Sequence, residues 1–337
     1  MGRANCARHW RPPVIVSDRR RALGVLLVLA VVAVAGSLTI GSVPLHPGDV
    51  VSVLFGGGDE LQRTLILDLR LPRTLSAFAT GGLLAVAGAL MQVLLRNPLA
   101  DPYVLGLSGG AAVGALMAML GGVAGWLVSG SAFAGAMLST LLVFGLAHGS
   151  GSWTPARLLL TGVVVAAGWG ALMTLLLAMA PTSRLPGMLY WLMGDLSHAG
   201  SPWPALAVLV VVCVLLFPLG RTLNVLARGH VQAAVLGVSV RPLEWLVYLL
   251  ASLLTSVAVT TAGTVGFVGL VVPHMLRLLI GNDQRLILPA CALAGGTLVL
   301  VADTVARVVI APEQLPVGVI TALMGVPTFL YLLYRSR

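Results

Sequence analysis

The sequence predicts an all-α, polytopic membrane protein with about ten transmembrane helices, and three observations carry the prediction. Of the 337 residues, 58% are hydrophobic and only 9% charged, whereas a soluble domain carries about 25% charged residues. Apolar runs of about 20 residues, enough for a helix to cross a hydrocarbon core of ~30 Å, recur along the whole chain. Charges and prolines gather at the ends of these runs and are scarce inside them.

The runs lie near 23–42, 72–95, 103–121, 128–147, 157–179, 203–220, 243–261, 264–280, 286–304 and 316–334. The first follows Arg19-Arg20-Arg21 and reads as an uncleaved helix. A signal peptide ending at Ala33-Val34-Ala35 fits less well, because apolar character continues to Ile40. The second is bracketed by Arg70 and Arg73 before it and by Arg96-Asn97-Pro98 after it. Asp101-Pro102, Thr154-Pro155 and Ser201-Pro202 open the third, fifth and sixth runs. In each, a capping oxygen accepts an orphan N–H and proline occupies the first helical position, where it loses nothing. The boundary between the seventh and eighth runs is soft, because Thr260 to Gly266 is glycine-rich and weakly apolar. Residues 1–22 form a basic tail, 23–337 a single membrane domain, and 221–242 the longest connection, mildly amphipathic.

Arginine placement orients the chain. With an even number of spans, 15 arginines fall on the side of both termini and 5 on the other: Arg63, Arg70, Arg73, Arg184 and Arg307. The positive-inside bias makes the termini cytoplasmic, as expected of a multi-pass protein of a bacterial inner membrane.

Composition also excludes functions. All 20 basic residues are arginine, so the chain lacks the lysine of a phosphate-binding P-loop and any ATP engine is another polypeptide. The basic residues are scattered singly, with no aromatic-flanked groove for nucleic acid. Cys6, Cys213 and Cys291 share no metal or redox spacing, and no cofactor is expected. An ion-coupled secondary transporter needs an ionisable relay near the bilayer midplane, and no carboxylate falls mid-run; Glu244 and Asp303 sit near run ends. Gly106-Leu107-Ser108-Gly109 with His274 as base matches an intramembrane serine protease of the rhomboid type, on a pattern of only four residues in a glycine-rich chain.

Several polar residues stand out against this background. Arg70 and Arg73, three apart, share one face of a helical start, and Arg307 follows Asp303 by four. Positive charge on the outer side runs against the general bias and would attract an acidic soluble partner. On the inner side, Gln92 and Asn97 are polar beside the membrane, where such groups are costly unless paired. Pro273-His274 would kink a helix one turn before Arg277.

These stretches resemble a known family, the permease subunits of binding-protein-dependent ABC importers for iron–siderophores, haem and cobalamin. The matching segments are RLPRTL at 70–75, GGLLAVAGALMQVLLRNPLADPYVLGLSGGAAVG at 81–114 and RLLLTG at 157–162, which holds Thr161 and Gly162. Further on they are YWLMGDL at 190–196, GTVGFVGLVVPHMLRLLIGNDQRLILPACALAGG at 263–296, ADTVAR at 302–307 and LPVGVITALMGVPTFLYLL at 315–333. The resemblance implies a type II ABC importer permease fold and no covalent catalysis by the chain itself. It implies four partners: a cytoplasmic ABC ATPase subunit, an extracytoplasmic solute-binding protein, a second permease copy (identical or a close paralogue) and the lipid bilayer. Arg70, Arg73 and Arg307 would then meet carboxylates of the binding protein. Segment 221–242 would couple to the ATPase through Arg228, Gly229, His230, Ala233, Leu236 and Gly237, with His230 standing where the family carries an acid. Gln92, Asn97, Pro98, Thr161, Gly162, Pro273 and His274 would belong to pathway or structural motifs. The run 157–179 would line the path, with loop 148–156 near the inner gate. The cargo would be a siderophore-chelated iron or a related complex such as haem or cobalamin.

Overall fold

A computed structural model describes residues 19–41, 43–123, 125–147, 154–197 and 199–335. The basic tail up to residue 18 with Cys6, loop residues 148–153 and Arg337 lie outside the described residues.

The chain order is α1 (Arg19–Thr39), α2 (Pro47–Leu54), α3 (Glu60–Arg63), a π-helical segment (Thr64–Arg70), α4 (Leu71–Leu94), a 3₁₀ turn (Pro102–Leu105), α5 (Leu107–Leu120), α6 (Trp126–Ala147), α7 (Pro155–Ala178), α8 (Leu185–Met193), α9 (Trp203–Leu226), α10 (His230–Val235), α11 (Val240–Ala262), α12 (Val268–Ile280), α13 (Gln284–Val308) and α14 (Val317–Arg335). Among the described residues there is no strand. The ten apolar runs correspond to α1, α4, α5, α6, α7, α9, α11, α12, α13 and α14. Seven are long and apolar enough to cross a membrane, and three are shorter: α5, α12 and the apolar part of α14.

The shorter helices are where the structure departs from the run boundaries. α12 has 13 residues and rises about 20 Å, short of the hydrocarbon thickness. The run at 264–280 becomes helical only at Val268, because Gly263 (φ 67°) and Phe267 (φ 67°) take left-handed conformations that end α11 and delay α12. Irregular backbone at membrane depth must be buried in protein and satisfied there. The Val265 amide donates to the Tyr103 hydroxyl at 3.2 Å, and the Thr264 hydroxyl donates to the Leu192 carbonyl. Asp101 and Thr154 cap as predicted, accepting from the Tyr103 and Arg157 amides. Ser201 does not: α9 starts at Trp203, with Pro202 as its uncapped N-terminal neighbour.

α4 is the central post, buried almost throughout its apolar length and packed against α13, α11, α12 and α9. Glycine makes this closeness possible, as it does between membrane helices generally. A Cβ on Gly81 would lie 2.0 Å from the Gly295 carbonyl oxygen, and one on Gly88 would lie 1.9 Å from that of Gly269. The second contact involves a carbonyl that a proline frees. Pro273 has no N–H for the carbonyl four residues back, which is that of Gly269, and this oxygen lies against α4.

Candidate functional sites at the two ends of the bundle

One end gathers the N-terminal end of α4 with the C-terminal ends of α1 and α13. Pro72 cannot donate a helical hydrogen bond, and the helix absorbs this with the π-helical segment just before it, whose widened turn bonds Leu71 N–H to the Ile66 carbonyl. The segment separates the roles of two arginines expected to act on one face. Arg70 donates to the carbonyls of Leu38 (2.8 Å) and Thr39 (3.1 Å), orphans at the C-terminal end of α1, and to that of Val43 in the loop beyond. Arg73 instead reaches α13 and pairs with Asp303 at 2.9 Å, and it also donates to the Gln314 side chain. Arg307 closes on the same carboxylate at 3.2 Å and donates to the Ser37 hydroxyl at 2.7 Å.

The structure therefore brings Arg70, Arg73 and Arg307 together, but not as an exposed rim. Arg70 and Arg307 are 7% and 6% exposed and the Arg73 side chain 13%. They line a cleft together with Asp68 and Gln314. Sequence reasoning missed Gln314 and Ser37, which carry no charge and lie in distant segments.

The other end gathers the C-terminal ends of α4, α9 and α12 with the N-terminal ends of α11 and α13. Gln92 is buried, donates to the Leu270 carbonyl at 3.2 Å and accepts from Arg277, so its cost in the membrane is met by α12. Asn97 accepts from the Leu99 amide at 3.0 Å; it and the exposed Pro98 form a tight turn after Arg96, a non-glycine residue at φ 49°. Gly162 of α7 seats the 3₁₀ turn, since a Cβ there would lie 2.7 Å from the Val104 carbonyl oxygen. Thr161 beside it is half-buried. The His274 side chain is half-buried and makes no hydrogen bond among the described residues, to Ser108 or to any other group. The nucleophile–base pair of a serine protease is not formed.

The segment 221–242 is not one surface helix. Its first six residues continue α9, and its last three belong to α11. Between them α10 is framed by two glycines with positive φ, Gly229 (126°) and Gly237 (76°). The second makes a Schellman-type stop, with Gly237 N–H to Ala234 O and Val238 N–H to Ala233 O, both at 3.0 Å. Ala233 is buried, Leu236 exposed, and Arg228 exposed in the preceding turn. His230 Nε2 lies against Glu244 Oε1 of α11, which is buried. Burial and the nearby Arg96 hold the His230 imidazole below its ordinary range, so the contact is a neutral ring set against a carboxyl group, and neither facing atom has a hydrogen-bond partner among the described residues.

The profile of the FecCD transport family matches residues 27–335. The chain belongs to the FecCD transport family. It is 41% identical over 328 residues to the vitamin B12 import system permease protein BtuC of Yersinia enterocolitica, covering 95% of this chain and 94% of that one. It is 38% identical over 327 residues to the hemin transport system permease protein HmuU of Yersinia pestis, covering 94% and 96%. A solved structure described as an inward-facing metal-chelate type ABC transporter superposes with a TM-score of 0.83 at 32% identity, over 94% of this chain and 99% of that one. This FecCD protein is thus a multi-pass inner-membrane permease subunit of an ABC importer, a transport component rather than a catalyst, and ATP hydrolysis lies with a partner ATPase.

Proposed function

We propose that this permease imports a metal chelate or a corrin- or haem-type complex, with its Arg73 end facing outward and its termini in the cytoplasm. The observation that carries the outer assignment is one cleft lined by three arginines, two of them sharing a single buried carboxylate and the third held by backbone carbonyls. The excess positive charge of this cleft fits an acidic side chain offered by a solute-binding protein. Docking by this route is an insertion into a cleft rather than a meeting of flat charged rims.

At the opposite end, α10 offers exposed Val231, Val235 and Leu236 to the ATPase, on a base fixed by Ala233 and the two glycines. α7, whose apolar faces are largely exposed in the single chain, lines the path against a second copy of the permease. The cargo class rests on the relatives: the vitamin B12 and hemin permeases are nearly equally similar to this chain, so similarity does not choose between them.

The docking assignment is tested with Gln314→Glu. This places a carboxylate beside Arg73 without emptying the buried cluster, and it competes with an incoming acid. Affinity of the cognate binding protein for the purified complex should fall about tenfold, the equivalent of ~1.4 kcal/mol, and should weaken further with salt. Docking that is unchanged by Gln314→Glu and indifferent to salt rules the assignment out.

A further inference from the structure

A second charged cleft, of ≈ 620 Å³, opens at the Arg96 end of the bundle between the ends of α4, α9 and α12 and the start of α13. The arginines Arg96, Arg228 and Arg277 line it, against one carboxylate, Asp283. That carboxylate is already engaged, by Arg285 at 2.7 Å and by the Asn224 amide at 2.9 Å. Among the described residues Arg277 is held by neutral oxygens, those of the Gln92 side chain and the Ala89 carbonyl at 3.3 Å. Hydrogen bonds of this kind position a guanidinium without neutralising it. Arg96 has the buried Glu244 in its field beyond His230, which leaves Arg228 and Arg277 unbalanced within the cleft.

An independent observation points to a ligand in the same place. Gln284, 2% exposed, lines the cleft, and its amide oxygen has no hydrogen-bond partner. A buried amide oxygen left unpaired costs free energy; the same group turned by half would present its N–H donors at that place. Three guanidinium groups lining one cleft suit a tetrahedral oxyanion, which accepts several charge-assisted hydrogen bonds at once.

We propose that this cleft binds a phosphate-type oxyanion, supplied either by the headgroup of an anionic phospholipid or as free phosphate. Basic pockets between membrane helices at a cytoplasmic face take lipid headgroups in this way. The site is separate from the arginine cluster at the other end, and nothing in it depends on the docking assignment.

Two arms of one experiment on the purified full-length chain identify the source. Thermal unfolding in neutral detergent is followed with sodium phosphate against sodium chloride at matched ionic strength. Native mass spectrometry compares retention of phosphatidylglycerol with retention of phosphatidylcholine. A phosphate-specific rise in Tm assigns free phosphate; selective retention of phosphatidylglycerol without that rise assigns the headgroup. In either case Arg96→Gln combined with Arg228→Gln should weaken binding at least about tenfold, since hydrogen bonds to charged groups are among the stronger ones. If that double variant does not elute as the wild type does, Asn282→Glu, at an exposed position lining the cleft, should weaken binding by repulsion. No response in either arm, or equal binding by wild type and folded variants, overturns the proposal.

Discussion

Asp303, fully buried near the C-terminal end of α13, binds Arg73 of α4 at 2.9 Å although 230 residues separate them in the chain. The same carboxylate takes Arg307 from its own helix one turn on. One anion thereby fixes two guanidinium groups and, through Arg307 and Ser37, the end of α1. Removing one partner of a buried pair leaves uncompensated charge and costs about 3–5 kcal/mol. Asp303→Asn should therefore lower the thermal stability of the detergent-solubilised chain sharply, whereas Glu313→Gln, on the exposed turn after α13, should be near neutral. Equal Tm values for the two variants would show that the cluster does not hold these helices together.

The backbone contact between α4 and α12 gives a second expectation. Gly88→Ala puts a methyl group where the Gly269 carbonyl stands, 1.9 Å away, and forcing such helices apart costs about 1–3 kcal/mol. Gly130→Ala in α6 meets nothing within 4 Å and should leave the melting temperature essentially unchanged. The comparison is read by the loss of the monodisperse elution peak after heating.

Much of this fold was legible because membrane helices write themselves as long apolar runs; the ten runs found ten helices. Asp101 and Thr154 were legible as caps because capping is local. What the sequence hid is tertiary. Nothing near Arg73 names Asp303 or Gln314, because their meeting depends on glycines that let α4 and α13 touch. Nor could spacing show that a π-helical segment turns Arg70 toward α1 while Arg73 faces α13. The six residues credited to a connection at 221–226 are helical because hydropathy marks where the bilayer ends, not where the helix does.

His230 supplies a third prediction. With Glu244 beneath it, placing an acid at this position in His230→Asp would set two carboxylates against each other. ATP hydrolysis by the assembled complex should then respond several-fold less to binding protein, and adding Glu244→Gln should recover most of the response. A single variant as responsive as the wild type would detach this pair from coupling.

A pH dependence follows at the same end. The Arg285 guanidinium hydrogen-bonded to Asp283 holds its carboxyl well below the usual carboxylate range, with Asn224 assisting and burial opposing. A group whose folded pKa is depressed binds fewer protons folded than unfolded, so stability rises with pH through the carboxylate range. The contribution is present above about pH 4 and is lost as pH falls toward the folded value. Because Arg285 is exposed, solvent screens the pair and the gain is small. Asp283→Asn should lower Tm slightly at pH 7, and the gap to the wild type should shrink between about pH 4 and pH 3.

Reconstitution into proteoliposomes tests the account most directly. With the permease, its ATPase and its binding protein present, cargo uptake should require ATP and binding protein together and should ignore an imposed proton gradient. Uptake by the permease alone, driven by that gradient without ATP, would contradict it.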